Sequence, residues 1–471
     1  MYFHSLPFIA FLIIAFAAYW SVHRNQTARL AVLLLASLVF YAAFTPFPLI
    51  IFASCAAIDF LVARGMGRFT STRARKLLLA VSVVTNLSVL ATFKYADLLY
   101  STSAWLLAQV GVSVRYEPLG LLLPIGLSFV VFQAISLTVD VYRGKVEPKF
   151  SYAEHLLYLL FFPQVVAGPI VRAKDLLDRF RQVPTLSAEE GARGLFRIVA
   201  GLVKKLVIAD VLAAGIVDPV FADPARYTSA ECAVAAVAYT LQLYFDFSAY
   251  SDVAIGAAAL FGFSLPENFN KPYSATNLFD FWNRWHVSLS TWLRDYLYIP
   301  LGGNRVSRPR VLFNLMAVMA LGGLWHGADW RFALWGAIHG LGLIVTRIFW
   351  WWRGRPDDPG VLRIAWGWTA TMAVVIFSRV IFRADDVHLA AEMYAQLLAF
   401  TGGLANVSNI VWLTLLVAAA VQALPHRAFE LATRGFIVLP VPLRAAALVG
   451  IGLAIRQVGA AEIRPYIYFQ F

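Results

Sequence analysis

An imidazole, an indole and three glycines fall together in Leu315-Met-Ala-Val-Met-Ala-Leu-Gly-Gly-Leu-Trp-His-Gly327, at the end of an apolar run. A histidine placed there loses much of its hydration, which is costly without a partner or a task. Imidazole is also the side chain best matched to taking and returning a proton near neutral pH. His326 is therefore the first candidate for catalysis, as a general base or as a transient nucleophile. Gly322, Gly323 and Gly327 leave room beside it for a substrate or a second backbone, and Trp325 supplies a flat wall.

A second constellation lies upstream, in Asn277-Leu-Phe-Asp-Phe-Trp-Asn-Arg-Trp-His-Val-Ser-Leu-Ser-Thr-Trp-Leu-Arg-Asp-Tyr-Leu-Tyr-Ile-Pro300. Phe281, Trp285, Leu289, Trp292 and Tyr296 recur at helical spacing and predict one amphipathic helix over 276–299. An interfacial aromatic belt accounts for the Trp and Tyr residues but not for His286, which becomes the second site candidate. Gly302-Gly303-Asn304 has no Walker lysine and no preceding strand, so it reads as a turn closing that helix. Gln242, Asp246 and Tyr250 are spaced by four and share a helix face. That face is either a polar seam, pairing with Lys204 or Lys205, or the wall of a substrate tunnel. His339 reads as structural or as support behind the site, because Asp329, Trp330 and Arg331 break the helix after His326. No Gly-x-Ser-x-Gly elbow and no His-Glu-x-x-His zinc pair occurs.

The elements that must hold these groups are set by composition. Of the 471 residues 60% are hydrophobic and 14% charged, with a mean hydropathy of +0.69. A soluble chain of this length could not hide so much apolar surface, so the solvent is the bilayer. The two cysteines, Cys55 and Cys232, both lie in apolar segments, which argues against a disulfide framework or a cysteine metal site. The net charge of +12 sits mainly in short loops, where topology needs it, and no nucleic-acid motif accompanies it.

Met1–Trp20 has no basic residue before its apolar stretch and no cleavage site after it, so it reads as a first span. Further candidates are 30–45, 47–63, 77–93, 119–139, 194–217, 230–263, 311–328, 332–352, 363–382, 409–424 and 440–460. Residues 154–170, with Pro163 and Pro169, suit a re-entrant or broken helix, and 386–400 is weakly amphipathic. Loop 64–76 carries five basic residues and no acid, which places it in the cytoplasm and the N-terminus on the extracytoplasmic side.

Taken together, these stretches resemble the membrane-bound O-acyltransferase (MBOAT) family over nearly the whole chain, and most of all its bacterial polysaccharide-acetylating members. The resemblance rests on Leu123–Phe129, Phe162–Ile170, Tyr244–Asp252, Leu265–Tyr273, the run from His286 to Arg305, Trp325-His326-Gly327 and Tyr468–Phe471. Ala249 stands where relatives often have Gly, and Asp329 where they often have Asn. The resemblance implies an all-α, polytopic membrane protein of about 11–12 transmembrane helices. Re-entrant and amphipathic helices would complete a single domain, 1–471, around a central tunnel. It implies an O-acyltransferase of the bacterial inner membrane with His326 catalytic and His286 as the second histidine. No tightly bound cofactor and no metal are expected. The donor would be cytoplasmic acetyl-CoA. The acceptor hydroxyl would belong to a periplasmic acetyltransferase partner or to an exopolysaccharide such as alginate; peptidoglycan, cellulose and D-alanylation of teichoic acid are the alternatives. Lys204, Lys205 and Arg305 are plausible neighbours of an anionic donor, although a basic inner rim serves topology as well. A donor transporter would explain tunnel-lining polar groups equally well.

Overall fold

The protein was analysed as a computed structural model that describes residues 1–355, 360–458 and 464–467. The Tyr468–Phe471 stretch of the family resemblance lies outside the described residues. The described residues are helical or irregular, without strands. They divide into two contact-dense units, residues 1–187 with 257–266, and residues 188–256 with 267–471.

The first unit begins with α1 (Leu6–Ser21), α2 (Gln26–Ala42) and α3 (Pro48–Arg68). A 38-residue helix, α4 (Thr72–Gln109), follows, then α5 (Leu127–Tyr142), α6 (Tyr152–Leu160) and α7 (Ala173–Arg181). α4 passes through a π-helical stretch at Ala91–Tyr95, so much of what reads in sequence as a loop after residue 93 is helix. Arg29, only 1% exposed, staples this unit. Its guanidinium donates to the carbonyls of His23, Phe180 and Gln182 at 2.7, 3.0 and 2.8 Å. A buried guanidinium is tolerable when its donors are satisfied in this way. Residues 161–167, with Pro163, turn out of α6 fully buried, as expected of a broken helix packed against protein.

The second unit starts with α8 (Ala188–Val203) and runs through π-helical segments at Lys204–Ala209 and Ala213–Val217. α9 (Ser229–Leu260) is its long central rod. Two short helices, α10 (Leu278–Arg284) and α11 (Val287–Leu293), precede the hairpin of α12 (Arg308–His326) and α13 (Trp330–Arg353). α14 (Gly360–Arg383), α15 (Val387–Leu398), α16 (Asn409–Ala423), α17 (His426–Val438) and α18 (Val441–Val458) complete it.

Among the described residues five helices are long and apolar enough to cross a membrane: α3, α4, α9, α13 and α14. A sixth is reached if α16 and α17, bent by 96°, count as one span. The expected 11–12 counts shorter apolar segments besides these. α1, α2, α5 and α18 are apolar but short; sixteen residues reach about 24 Å against a hydrocarbon core of about 30 Å. The expected span at 194–217 is helical throughout but carries charged side chains. Lys204, Lys205 and Asp210 must each find a partner, and the helix widens into π-turns there.

Candidate active site

The hairpin of α12 and α13 places His326. α12 stops at His326 because Gly327 turns extended (φ −161°), and α13 restarts behind Asp329, whose carboxylate accepts the Arg331 N–H at 2.8 Å. The two helices cross in near backbone contact. A Cβ on Gly323 would lie 2.1 Å from the Phe332 carbonyl oxygen, and one on Gly336 would lie 2.2 Å from that of Met319. A Cβ on Gly327 would lie 1.9 Å from the Phe332 ring. Gly323 and Gly327 thus admit a second backbone and a ring rather than a substrate, which decides between the two uses open in the sequence.

His326 is 6% exposed. Its ring meets Trp325 at 5.0 Å, Trp335 at 5.2 Å and Phe382 at 5.4 Å, all edge-on. His286 is fully buried and meets Phe247 at 4.7 Å and Trp325 at 6.1 Å. The two candidate histidines, forty residues apart in sequence, therefore pack on the same indole.

The predicted single helix over 276–299 is wrong, and the break is what positions His286. The chain leaves the helix at Trp285, and His286 takes a left-handed conformation (φ 43°) before α11 begins. Residues other than Gly rarely adopt this region, and it needs surrounding structure to hold it. Asn268 supplies that. Its carbonyl accepts the Val287 N–H at 2.9 Å, and its Oδ1 accepts the Ser288 hydroxyl at 2.9 Å and the Ser288 N–H at 3.3 Å. The same Oδ1 lies 3.1 Å from His286 Nδ1. Being an acceptor from Ser288, it takes the ring proton from Nδ1, which leaves Nε2 with a lone pair. Burial pushes the His286 imidazole down to about 3, so the ring is neutral at any pH a cell meets. The aromatic stripe itself is core: Phe281, Trp285, Leu289 and Trp292 are buried.

His339 packs on Trp335, a wall of the His326 box, at 4.8 Å. It is fully buried, and its Nε2 donates to Ser378 Oγ at 3.0 Å while that hydroxyl donates to Val375 O. Arg379 was missed in sequence. It is 2% exposed, and its guanidinium lies over Trp285 at 4.3 Å, Phe382 at 5.6 Å and Trp335 at 5.9 Å. It shares two of its ring walls with His326. An arginine inside an apolar 24-residue helix is the signal that could have found it.

The polar face of α9 is a seam and a cavity wall at once. Lys205 Nζ contacts Asp246 at 2.7 Å and Asp210 at 2.8 Å, and Lys204 contacts Asp252 at 2.6 Å. Lys204 and Lys205 are thus committed to carboxylates. A cavity of about 90 Å³ lies beside them, lined by Tyr239, Gln242, Asp246, Arg331 and Arg383 among others. Tyr250 packs on Tyr466 at 5.1 Å. The Gly302-Gly303-Asn304 turn closes the preceding helix as expected: Gly302 N–H and Gly303 N–H donate to Ile299 O and Tyr298 O at 3.0 and 2.9 Å. No cluster of three or more His, Cys, Asp or Glu suited to a metal occurs among the described residues.

A helical protein with several helices long and apolar enough to cross a bilayer is a multi-pass membrane protein. A profile of the membrane-bound O-acyltransferase family matches residues 76–381, more than half of the chain. The chain is 41% identical over 379 residues to the "Probable alginate O-acetylase AlgI" of Pseudomonas aeruginosa, covering 80% of this chain and 71% of that one. It is 33% identical to the peptidoglycan O-acetyltransferase of Helicobacter pylori, covering 83% and 79%. Identity to the teichoic acid D-alanyltransferase of Streptococcus thermophilus is 30%, covering 47% and 56%. The chain belongs to the membrane-bound O-acyltransferase family and is an O-acyltransferase.

Proposed function

We propose that this protein moves an acetyl group from cytoplasmic acetyl-CoA, across the bacterial inner membrane, to a hydroxyl on a periplasmic acetyltransferase partner or an exopolysaccharide such as alginate. The observation that carries the reading is His326, a nearly buried imidazole ending α12 inside a box of aromatic rings. Its neutral ring takes the proton of the acceptor hydroxyl as that oxygen attacks the thioester carbonyl. The new C–O bond forms, the C–S bond breaks, and the proton returns to the leaving thiolate. The developing oxyanion needs an N–H donor in a dry site. His286 gives its N–H to Asn268, so that donor is an indole or amide N–H, and His286 serves by holding Trp325. The basic loop 64–76 supports an extracytoplasmic N-terminus.

Similarity to the alginate O-acetylase is the support for an acetyl group and a polysaccharide. The peptidoglycan O-acetyltransferase and teichoic acid D-alanyltransferase relatives supply the second reading, another cell-envelope acceptor or acyl group. His326→Ala should lower transfer of radiolabelled acetyl from acetyl-CoA, in proteoliposomes with acceptor present, by about 10²–10⁴-fold, while the protein inserts and purifies normally. Wild-type-like transfer by that variant sinks the reading. Donor crossing the bilayer without covalent transfer marks a transporter instead.

A further inference from the structure

At the end remote from His326, the hairpin of α12 and α13 carries a cluster of cations that nothing above uses. Arg305, Arg308 and Arg310 lie at the start of α12, and Arg353 and Arg355 at the end of α13. Between Asp295 and Asp357 the sequence holds one acid, Asp329, and it caps α13 at the hairpin's other end. Among the described residues none of the five arginines has an ion pair or a side-chain hydrogen bond. Surface arginines elsewhere in this unit do: Arg193 meets Glu430 at 2.9 Å, Arg284 meets Asp280 at 2.8 Å and Arg434 meets Glu430 at 3.3 Å. At the hairpin end the partners are rings. Arg353 lies over Trp352 at 4.2 Å, Arg308 over Trp351 at 5.4 Å and Arg310 over Phe313 at 4.9 Å. A guanidinium stacked on a ring keeps its in-plane N–H donors free for an anion.

The surface beside these rings says which anion. Leu341, Val345, Ile348 and Trp352 follow one another at spacings of three and four and form one exposed stripe on α13. On a helix long and apolar enough to cross a bilayer, such a stripe meets hydrocarbon. From Leu341 to Trp352 it runs about 16 Å, the depth of one leaflet in a core about 30 Å thick. Trp352, 72% exposed, stands at its end, and indoles favour the boundary between chains and headgroups. An acyl chain laid along the stripe therefore brings its headgroup to Arg353 and, on the neighbouring indole, to Arg308. Arg355 is placed differently: it lies over Trp350 at 5.1 Å, and that ring stacks on Phe279 of α10 at 5.0 Å. Arg305 rests on no ring among the described residues.

We propose that this end of the hairpin binds an anionic phospholipid, with Arg308 and Arg353 on the headgroup phosphate and the Leu341–Trp352 stripe along an acyl chain. A guanidinium suits a phosphate because it offers paired donors in one plane. Phosphatidylcholine carries the same phosphate, but its ammonium group meets the two arginines with like charge, so a headgroup of net negative charge is preferred. The test measures binding of phosphatidylglycerol, phosphatidylcholine and glycerol 3-phosphate to detergent-solubilised full-length protein by native mass spectrometry. Each arginine beside an anionic headgroup is worth about fivefold, so wild type should prefer phosphatidylglycerol to phosphatidylcholine by about 10–30-fold. Replacing both Arg308→Gln and Arg353→Gln should erase that preference and leave phosphatidylcholine binding as it was. Replacing both Arg305→Gln and Arg355→Gln removes the same charge from the same end, away from the stripe, and should keep it. All four side chains are exposed, so both double variants should unfold at the wild-type midpoint. Equal binding of the two lipids by wild type would overturn the proposal. So would equal loss of the preference in both double variants, which marks diffuse attraction by net charge. Glycerol 3-phosphate displacing phosphatidylglycerol at an equal concentration would overturn it too, because the site would then be one for a soluble anion.

Discussion

Two regions of the second unit bury polar groups by opposite means. In the seam on α9, charges come with counter-charges: Lys205 with Asp246 and Asp210, Lys204 with Asp252, and Arg197 with Asp252 at 3.0 Å and Glu267 at 2.5 Å. Around His326 the walls are Trp325, Trp335 and Phe382, with Arg379 stacked behind two of them. The seam offsets the cost of desolvation by pairing, and such a network is glue between helices. The aromatic box instead shapes space around one ring that can carry a proton. Burial of a polar group therefore does not by itself mark the chemistry.

The contrast is sharpest when each region loses one group. Asp246→Ala takes one of two carboxylates from the buried Lys205 ammonium and the acceptor from Ile467 N–H, so it should cost about 3 kcal/mol and lower the unfolding midpoint in detergent. His326→Ala should leave that midpoint nearly where it was and remove transfer. If the two variants behaved alike, in either assay, the distinction between glue and active ring would fail. A backbone change comes next in size. Gly336→Ala brings a Cβ to 2.2 Å from Met319 O, so α12 and α13 must part. Overpacking of this kind costs about 1–3 kcal/mol, and a displacement of about 1 Å at His326 costs about 100-fold in rate. A Gly336→Ala protein with unchanged kcat would show that the hairpin crossing does not position the imidazole.

Much of this was legible from the residues because the signals are local. Trp325-His326-Gly327 announced a helix end, Gly302-Gly303-Asn304 a turn, and the four-residue spacing on α9 a polar face with lysine partners. Local reading failed where the deciding contact is distant. The stripe from Phe281 to Tyr296 has a helix's period, yet the helix breaks, since Asn268, eighteen residues before His286, captures the turn. Hydropathy did not reveal where π-turns and short helices fall. Arg379 carried a local signal, an arginine inside an apolar helix, but the rings it stacks on come from several helices, and no sequence window holds the whole set.

His286 should give a smaller effect than His326, because it acts through Trp325. His286→Asn keeps a residue that tolerates the left-handed backbone and removes the ring that Trp325 rests on. Transfer should fall by about tenfold, well below the range for removing a general base, with the midpoint lowered by a few degrees. A loss as deep as that of His326→Ala would instead make His286 a participant in the chemistry.

Asp329→Asn is the gentlest change and the one that tests whether charge near the active ring matters at all. The Asp329 oxygen is already spent on capping α13 through Arg331 N–H, and its second oxygen lies 3.9 Å from the Arg331 guanidinium. An asparagine caps a helix about as well as an aspartate. The variant should therefore match wild type in unfolding midpoint and in the whole curve of transfer rate against pH, whereas Asp329→Ala, without an acceptor, should lose about 0.5–2 kcal/mol. A displaced pH curve in Asp329→Asn would mean that the carboxylate's field reaches His326 past its guanidinium partner. The aromatic box would then be tuned by charge after all, as the seam is.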